Sequence, residues 1–190
     1  MRAIPVLCLV LLAALPAAAA RADRQMDPEL RGVIAAAIGP AQCFEDKYER
    51  AVWLAYMGPR LGRYVKDAGE REQILHNVHC EAKRADIPPE LVLAVMDVES
   101  RFDRYAVSSA GAVGLMQVMP FWPGELGMTN SQLIRVSDNI RMGTTILSYY
   151  LRKERGNYQR ALQRYNGSLG RPDYSDLVID RMASRWRYAY

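Results

Sequence analysis

The chain has 190 residues and a formal net charge of +4, and half of its residues are hydrophobic. It is long enough for one domain with a sizeable core. The positive charge forms no concentrated basic stripe, which argues against a nucleic-acid-binding protein, although the surplus could favour a polyanionic surface.

The first 22 residues have the features of a secretory signal peptide. Arg2 precedes an apolar run at residues 4–15, and small residues follow as far as Ala22. The run is too short for a stable membrane span, which needs about 20 apolar residues. We therefore expect the leader at 1–22 to be removed, leaving an exported, soluble protein without a membrane span.

Loss of the leader removes Cys8 and leaves Cys43 and Cys80. Two distant cysteines in an exported protein are typical of one disulfide in an oxidising compartment. Two buried free thiols are the alternative. His76 and His79 lie close to Cys80 in the sequence, but no second ligand pair follows at a zinc-site spacing. We therefore expect ordinary helix surface there and no metal.

Strand signals are nearly absent, whereas helix-start and helix-stop residues recur along the chain. They predict helices with the following boundaries, in chain order: Asp27 to Gly39 and Pro40, Cys43 to Met57 with Gly58 and Pro59 as the stop, Asp67 to Ala85, Pro88 to Glu99, Asp138 to Gly156, Tyr158 to Tyr165, and Ser175 to Trp186. Between the fourth and fifth of these, serines and glycines at 108–114 predict an irregular, turn-rich segment, with a small hairpin as one option. The predicted architecture is mostly α, as one lobe or two lobes around a cleft.

Glu99 interrupts an apolar helix. It lies on the same helix face as three apolar residues, Val92, Val95 and Met96. Asp97 is turned about 200° away from Glu99. A carboxyl group that faces apolar neighbours resists ionisation, and this is the environment of a general acid. The alternative is a glutamate that ends in solvent or pairs with a nearby arginine.

Gln117 lies within the apolar run LMQVM. An amide in such a place has two donors and one acceptor that need partners. The acetamido group of a bound sugar could supply them, and the backbone of the surrounding loop is the alternative.

Several motifs occur together in one order along the chain. They are Glu99 with Ser100, then Ser108, then GAVGLMQVMP at 111–120, then Asn139, Ile140 and Gly143 in a helix, and then RYNGSLG at 164–170. This ordered set resembles the lytic transglycosylases of the soluble-transglycosylase type, which are relatives of goose-type lysozyme. The resemblance covers roughly residues 74–170. It implies a lysozyme-like catalytic domain at 69–190, preceded by a helical N-terminal extension at 23–68.

The resemblance also implies a role for each matching residue. Glu99 would be the sole catalytic carboxylate, and Ser100 would close the helix end beside it. The other implied substrate contacts are Ser108 near the acid and the sugar, Gln117 at the substrate's N-acetyl group, Met116 and Met119 as cleft lining, and Tyr165 with Asn166 on the opposite side. Arg164, Gly167 and Ser168 depart from the family's usual residues, which affects the details of the cleft but not the assignment.

The implied reaction cleaves the β-1,4 bond between N-acetylmuramic acid and N-acetylglucosamine in peptidoglycan. It forms a 1,6-anhydromuramyl end and needs no cofactor or metal. Two alternatives stay open: a hydrolytic muramidase with the same fold, and a non-cleaving peptidoglycan-binding or secretion-assembly factor. We expect a periplasmic monomer that acts on glycan strands, with cell-wall or secretion machinery as a candidate partner.

Overall fold

The computed structural model describes residues 27–37, 43–44, 46–125 and 129–188. The predicted signal peptide and the predicted helix stop at Gly39 and Pro40 lie outside these residues. The described part contains the helices α1 (Pro28–Ala36), α2 (Lys47–Leu61), α3 (Ala68–Ala85), α4 (Pro89–Glu99), α5 (Phe121–Glu125), a 3₁₀ helix (Asn130–Ile134), α6 (Val136–Lys153), α7 (Tyr158–Asn166) and α8 (Asp173–Ser184). The prediction of a mostly α fold is confirmed.

Aspartate caps set the starts of the first three helices. Asp27 accepts a hydrogen bond from the backbone N–H of Glu29 at 3.1 Å, and Asp67 accepts one from Glu70 at 2.7 Å. These bonds satisfy N–H groups that have no partner inside the helix. Asp46 does the same for α2, so this helix begins at Lys47 rather than at the predicted Cys43.

The end of α2 differs from the prediction that Gly58 and Pro59 would stop it. The helix continues through Pro59 to Leu61. Proline inside a helix removes one backbone hydrogen bond. Trp53, Met57 and Leu61, four residues apart on one face, are at most 1% exposed. Burial of this apolar face therefore outweighs the local cost of proline.

Smaller differences occur between residues 121 and 138. Neither α5 nor the 3₁₀ helix was predicted, because each has only five residues and is too short to show a periodic pattern. Helix α6 begins at Val136, which is 1% exposed, and not at the predicted cap Asp138. Asp138 lies instead in the first turn, where its negative charge interacts favourably with the positive end of the helix dipole.

Helix α4 is the centre of the core. Residues 91–96 are all fully buried, and the helix packs against α3 and α8. Leu30 of α1 and Trp53 of α2 belong to the same apolar cluster. The division between an extension at 23–68 and a catalytic domain at 69–190 therefore stays a prediction. Within the described part of the chain, every helix falls short of the length or the apolar content needed to cross a membrane.

Cys43 and Cys80 are joined by a disulfide that ties the segment before α2 to α3. His76 Nε2 lies 3.6 Å from Cys43 Sγ, so these three residues could in principle form a metal cluster. Cysteine binds metal as a thiolate, but the two sulfurs here are bonded to each other. While the disulfide is intact, neither sulfur is therefore a thiolate ligand.

We predict that replacing both Cys43 and Cys80 with serine lowers the free energy of unfolding by about 4 kcal/mol, the loop-entropy value for a closed loop of this length. The bond joins residues 37 positions apart, which leaves a long loop unconstrained in the unfolded double variant. Urea unfolding of wild type and variant checks this. Equal free energies of unfolding would contradict it.

Candidate active site

The predicted catalytic and binding residues converge on one cavity of about 230 Å³. Its lining consists of Glu99, Ser108, Ala110, Ala112, Gln117, Val118, Met119, Trp122, Ile146, Tyr165 and Asn166. Six of the eight residues predicted to bind or cleave the substrate are therefore brought together in space, although they come from three separate segments of the chain. Two of them, Ser100 and Met116, are not part of the lining.

Glu99 is the last residue of α4 and points into this cavity. Burial raises the pKa of its carboxyl from 4.5 to about 7, and a hydrogen bond from Tyr174 partly opposes the increase. The Tyr174 hydroxyl donates to Glu99 Oε1 at 2.6 Å. The carboxyl group therefore keeps its proton to a higher pH than an ordinary glutamate does, which suits a group that both donates and accepts a proton near neutral pH.

Two tyrosines next to Glu99 are neutral hydrogen-bond donors. Burial and the nearby charge of Glu99 raise the pKa of both Tyr165 and Tyr174 well above 10. The Tyr165 hydroxyl donates to the backbone oxygen of Met116 at 2.7 Å. Sequence reasoning missed Tyr174, whose contact with Glu99 joins residues 75 positions apart and leaves no local signal.

Glu99 is the only carboxyl group among the described residues that line the cavity. Asp97 is 5% exposed and lies on the opposite side of α4. It accepts hydrogen bonds from Trp186 Nε1 at 3.0 Å and from the Tyr64 hydroxyl at 3.2 Å. The expectation that Asp97 faces away from Glu99 agrees with these contacts.

The segment from Ala106 to Val118 forms a loop over the cavity. Val113 pairs with both Val107 and Val118 through isolated bridges, so the predicted small hairpin is present only as short antiparallel contacts. Ser108 Oγ accepts from the backbone N–H of Ala112 at 3.0 Å. Ser108 thus braces the loop and also lines the cavity.

Gln117 has an unusual backbone conformation, with φ of +48°. Its Nε2 donates to the carbonyl oxygens of Ala106 at 3.1 Å and Gly114 at 3.0 Å. Both N–H donors of the Gln117 amide are therefore bonded to the backbone of the surrounding loop, which was the alternative to a bound sugar. The side chain still lines the cavity, and its carbonyl oxygen is the atom that can accept a hydrogen bond from a ligand.

The side chain of Asn139 in α6 forms hydrogen bonds with the backbone of the same loop. It is fully buried, its Oδ1 accepts from Met116 N at 2.8 Å, and its Nδ2 donates to the Leu133 oxygen at 2.8 Å and the Val113 oxygen at 2.9 Å. The backbone of Gly114 approaches this side chain closely. A Cβ atom there would lie 2.4 Å from Asn139 Nδ2, and its φ of +80° also favours glycine.

Two of the predicted substrate contacts, Met116 and Ser100, lie outside the cavity lining. Met116 is fully buried, and a Cβ atom at Gly143 would lie 2.6 Å from its sulfur, so its side chain packs beneath the loop instead of lining the cleft. Ser100 Oγ donates to the Leu115 oxygen at 2.7 Å. Both residues support the site from outside the cavity, because their side chains are used in packing and in binding the loop.

We predict that Tyr174→Phe raises the pKa of Glu99 further above 7. The lost hydrogen bond stabilises the ionised carboxylate, so its removal favours the protonated acid. NMR titration of the carboxyl carbon in protein labelled at glutamate measures this pKa directly. Tyr48→Phe, at a tyrosine that is 70% exposed, is the control and should leave the titration unchanged. A lower or unchanged Glu99 pKa in Tyr174→Phe would contradict the prediction.

Three curated relatives of the chain carry the name membrane-bound lytic murein transglycosylase C. The protein from Actinobacillus pleuropneumoniae is 56% identical over 48 residues, which is 25% of this chain and 13% of that protein. The protein from Glaesserella parasuis is 42% identical over 99 residues, 47% of this chain and 27% of that protein. The protein from Yersinia enterocolitica is 34% identical over 109 residues, 49% of this chain and 30% of that protein. The chain thus spans less than a third of the length of these relatives.

Solved structures of two lytic transglycosylases are similar to the chain. The lytic transglycosylase Slt from Pseudomonas aeruginosa gives a TM-score of 0.44 at 20% sequence identity, over 84% of this chain and 34% of that one. The 70 kDa soluble lytic transglycosylase from Escherichia coli gives a TM-score of 0.42 at 22% identity, over 74% of this chain and 26% of that one.

The match to a family model covers the whole cavity. It extends over residues 76–174, just over half of the chain, and carries the description transglycosylase SLT domain. Glu99, the loop that contains Ser108 and Gln117, and the Tyr165–Asn166 pair all fall inside it. The resemblance inferred from the ordered motifs is confirmed, and the chain belongs to the transglycosylase SLT domain family.

Proposed function

We propose that this protein is a peptidoglycan lytic transglycosylase. It cleaves the β-1,4 bond between N-acetylmuramic acid and N-acetylglucosamine and leaves 1,6-anhydromuramyl ends. The observation that carries the proposal is the state of Glu99: it is the only carboxyl group among the described residues of the cavity lining, and its pKa is about 7.

A single carboxyl group limits the possible reactions. Most glycosidases use two, one as the acid and the other as nucleophile or base. With Glu99 alone, the second function falls to the substrate itself. Glu99 protonates the glycosidic oxygen, and the acetamido carbonyl of the muramic acid stabilises the positive charge that develops at C1.

The same carboxylate completes the reaction. Once ionised, Glu99 removes the proton from the C6 hydroxyl of the muramic acid, and this oxygen attacks C1. The C1–O bond to the leaving sugar breaks, a new C1–O6 bond forms, and Glu99 regains its proton without consumption of water. An internal nucleophile has a high effective concentration, so the site mainly has to orient the sugar ring and exclude water.

The surroundings of Glu99 suit both steps. The hydrogen bond from Tyr174 stabilises the ionised form between the two proton transfers. Met119, Trp122 and Ile146 form apolar walls of the cavity and reduce the access of water. We assign Ser108, Gln117 and Asn166 to the substrate, with the Gln117 oxygen accepting from the N–H of an acetamido group.

The test compares wild type with Glu99→Gln on isolated peptidoglycan. We expect wild type to release soluble muropeptides, whereas the variant releases almost none but still sediments with the insoluble glycan. Circular dichroism establishes that the variant is folded. A wild type that binds peptidoglycan and releases nothing would contradict an enzyme and favour a binding or secretion-assembly factor.

The location and organisation of the protein form part of the proposal. The leader-like sequence at 1–22 and the Cys43–Cys80 disulfide both suit an exported protein in an oxidising compartment. We assign the protein to the periplasm as a monomer, with catalytic residues in the domain at 69–190. Cell-wall or secretion machinery is the class of partner that would recruit it.

A further inference from the structure

A second cavity lies apart from the one that contains Glu99. It has a volume of about 380 Å³ and shares no lining residue with the first. Its lining consists of Arg60, Arg63, Tyr64, Arg101, Arg185 and Trp186, and we refer to it as the arginine pocket. Four arginines from three separate segments of the chain therefore line one space.

Three of these arginines have no carboxylate partner among the described residues. Arg60 donates to the Tyr56 backbone oxygen at 2.6 Å and lies over the Tyr56 ring, but both contacts leave its charge uncompensated. Arg63 and Arg101 are exposed, and within the described part of the chain neither forms an ion pair. Arginine side chains are always charged, so these three place uncompensated positive charge around the pocket.

The fourth arginine is anchored and partly neutralised. Arg185 Nη1 donates to the Tyr64 hydroxyl at 2.6 Å and lies 3.5 Å from Asp97 Oδ2. Asp180 also lies close enough to interact with its charge. Asp97 is itself held by Trp186 and Tyr64, so one wall of the pocket is a connected set of hydrogen bonds. These contacts are already formed without a ligand, so this wall of the pocket is preorganised.

An anion that entered the pocket could pair with the three uncompensated charges. The planar guanidinium fork matches phosphate and carboxylate oxygens with paired hydrogen bonds. A phosphate monoester carries a charge of about −1.5 to −2 at pH 7 and offsets roughly half to two-thirds of these three charges, whereas one carboxylate offsets a single charge. We propose that the arginine pocket binds a phosphate group, carried either by a free phosphorylated compound or by a lipid headgroup.

The first arm of the test uses inorganic phosphate and pyrophosphate in calorimetric titrations. We expect wild type to bind both, and we expect the double variant Arg60→Gln, Arg101→Gln to bind at least about tenfold more weakly, because it loses two charged donors. The double variant Arg135→Gln, Arg171→Gln is the matched control. It removes the same charge from exposed arginines outside the pocket and should bind as wild type does.

The second arm identifies the source of the phosphate, using phosphatidylcholine vesicles with and without phosphatidic acid, whose headgroup is a phosphate monoester. Loss of binding to the phosphatidic acid vesicles in the pocket variant alone indicates a lipid headgroup, whereas phosphate binding without vesicle binding indicates a free compound. Equal losses in both double variants would show attraction by net charge only and would overturn the proposal. Absence of binding to phosphate, pyrophosphate and vesicles by folded wild type would also overturn it. None of these readouts depends on glycan cleavage.

Discussion

Glu99→Gln is expected to reduce the release of muropeptides from peptidoglycan by about 10²–10⁴-fold, the range for loss of a general acid–base group. The amide has nearly the shape of the protonated carboxyl but cannot donate the proton to the glycosidic oxygen or remove one from the C6 hydroxyl. The fold should be retained. A variant that keeps a tenth or more of wild-type activity would show that Glu99 is not the acid.

The same substitution is expected to stabilise the protein at alkaline pH. Glutamate ionises near pH 4.5 in the unfolded chain, and the pKa of Glu99 is about 7 in the folded one. Between these values the folded protein keeps a proton that the unfolded chain has released, so wild-type stability falls as pH rises through this window. At 1.36 kcal/mol per pKa unit, the loss is about 3 kcal/mol at pH 8. Glutamine does not ionise and avoids it.

Urea unfolding at pH 4 and pH 8 measures this effect. The free energy of unfolding of Glu99→Gln relative to wild type should rise by about 3 kcal/mol between the two pH values. Glu72→Gln is the control, because the side chain of Glu72 is 53% exposed, and it should show no comparable rise. A pH-independent difference between Glu99→Gln and wild type would contradict a raised Glu99 pKa. In that case the buried carboxyl group of Glu99 would not lower the free energy of unfolding, although residues that serve activity often do so.

Asn139→Ala is expected to lower the free energy of unfolding by about 2–6 kcal/mol, since each of two buried polar groups left without a partner costs about 1–3 kcal/mol. The Met116 N–H and the Leu133 carbonyl both lose their bond to this fully buried side chain. Activity should fall as well, because the loop that carries Ser108 and Gln117 loses its support.

Thermal and urea unfolding check the Asn139 prediction, with Asn77→Ala as the matched control. Asn77 makes one hydrogen bond to a carbonyl four residues earlier in its own helix, so its loss should cost less than about 1 kcal/mol. If the two variants were equally stable, the Asn139 bonds would not hold the loop as described.

The sequence predicted the features that depend on local chemistry. The helix starts at Asp27 and Asp67 follow from side-chain caps, and the apolar surroundings of Glu99 follow from the helical spacing of its neighbours. The ordered motifs also identified most of the cavity lining. The caps and the helical spacing can each be read from one short segment of sequence, and the motifs from the order of several segments along the chain.

Features that depend on long-range packing were not predictable in this way. Tyr174 reaches Glu99 from α8, and nothing in the sequence near either residue indicates the contact. Pro59 was expected to stop α2, but burial of Leu61 in the core carries the helix past it. Met116 reads as an apolar cleft residue, whereas the absence of a side chain at Gly143 creates the space into which it packs.

The product of cleavage tests the proposed chemistry most directly. Purified protein is incubated with isolated peptidoglycan in water enriched in ¹⁸O, and the released muropeptides are analysed by mass spectrometry. We predict fragments that contain no ¹⁸O, are lighter than hydrolysis products by one water, and resist borohydride reduction at the muramic end. Reducible ends that carry ¹⁸O would contradict the internal attack by the C6 hydroxyl and would make the protein a hydrolytic muramidase.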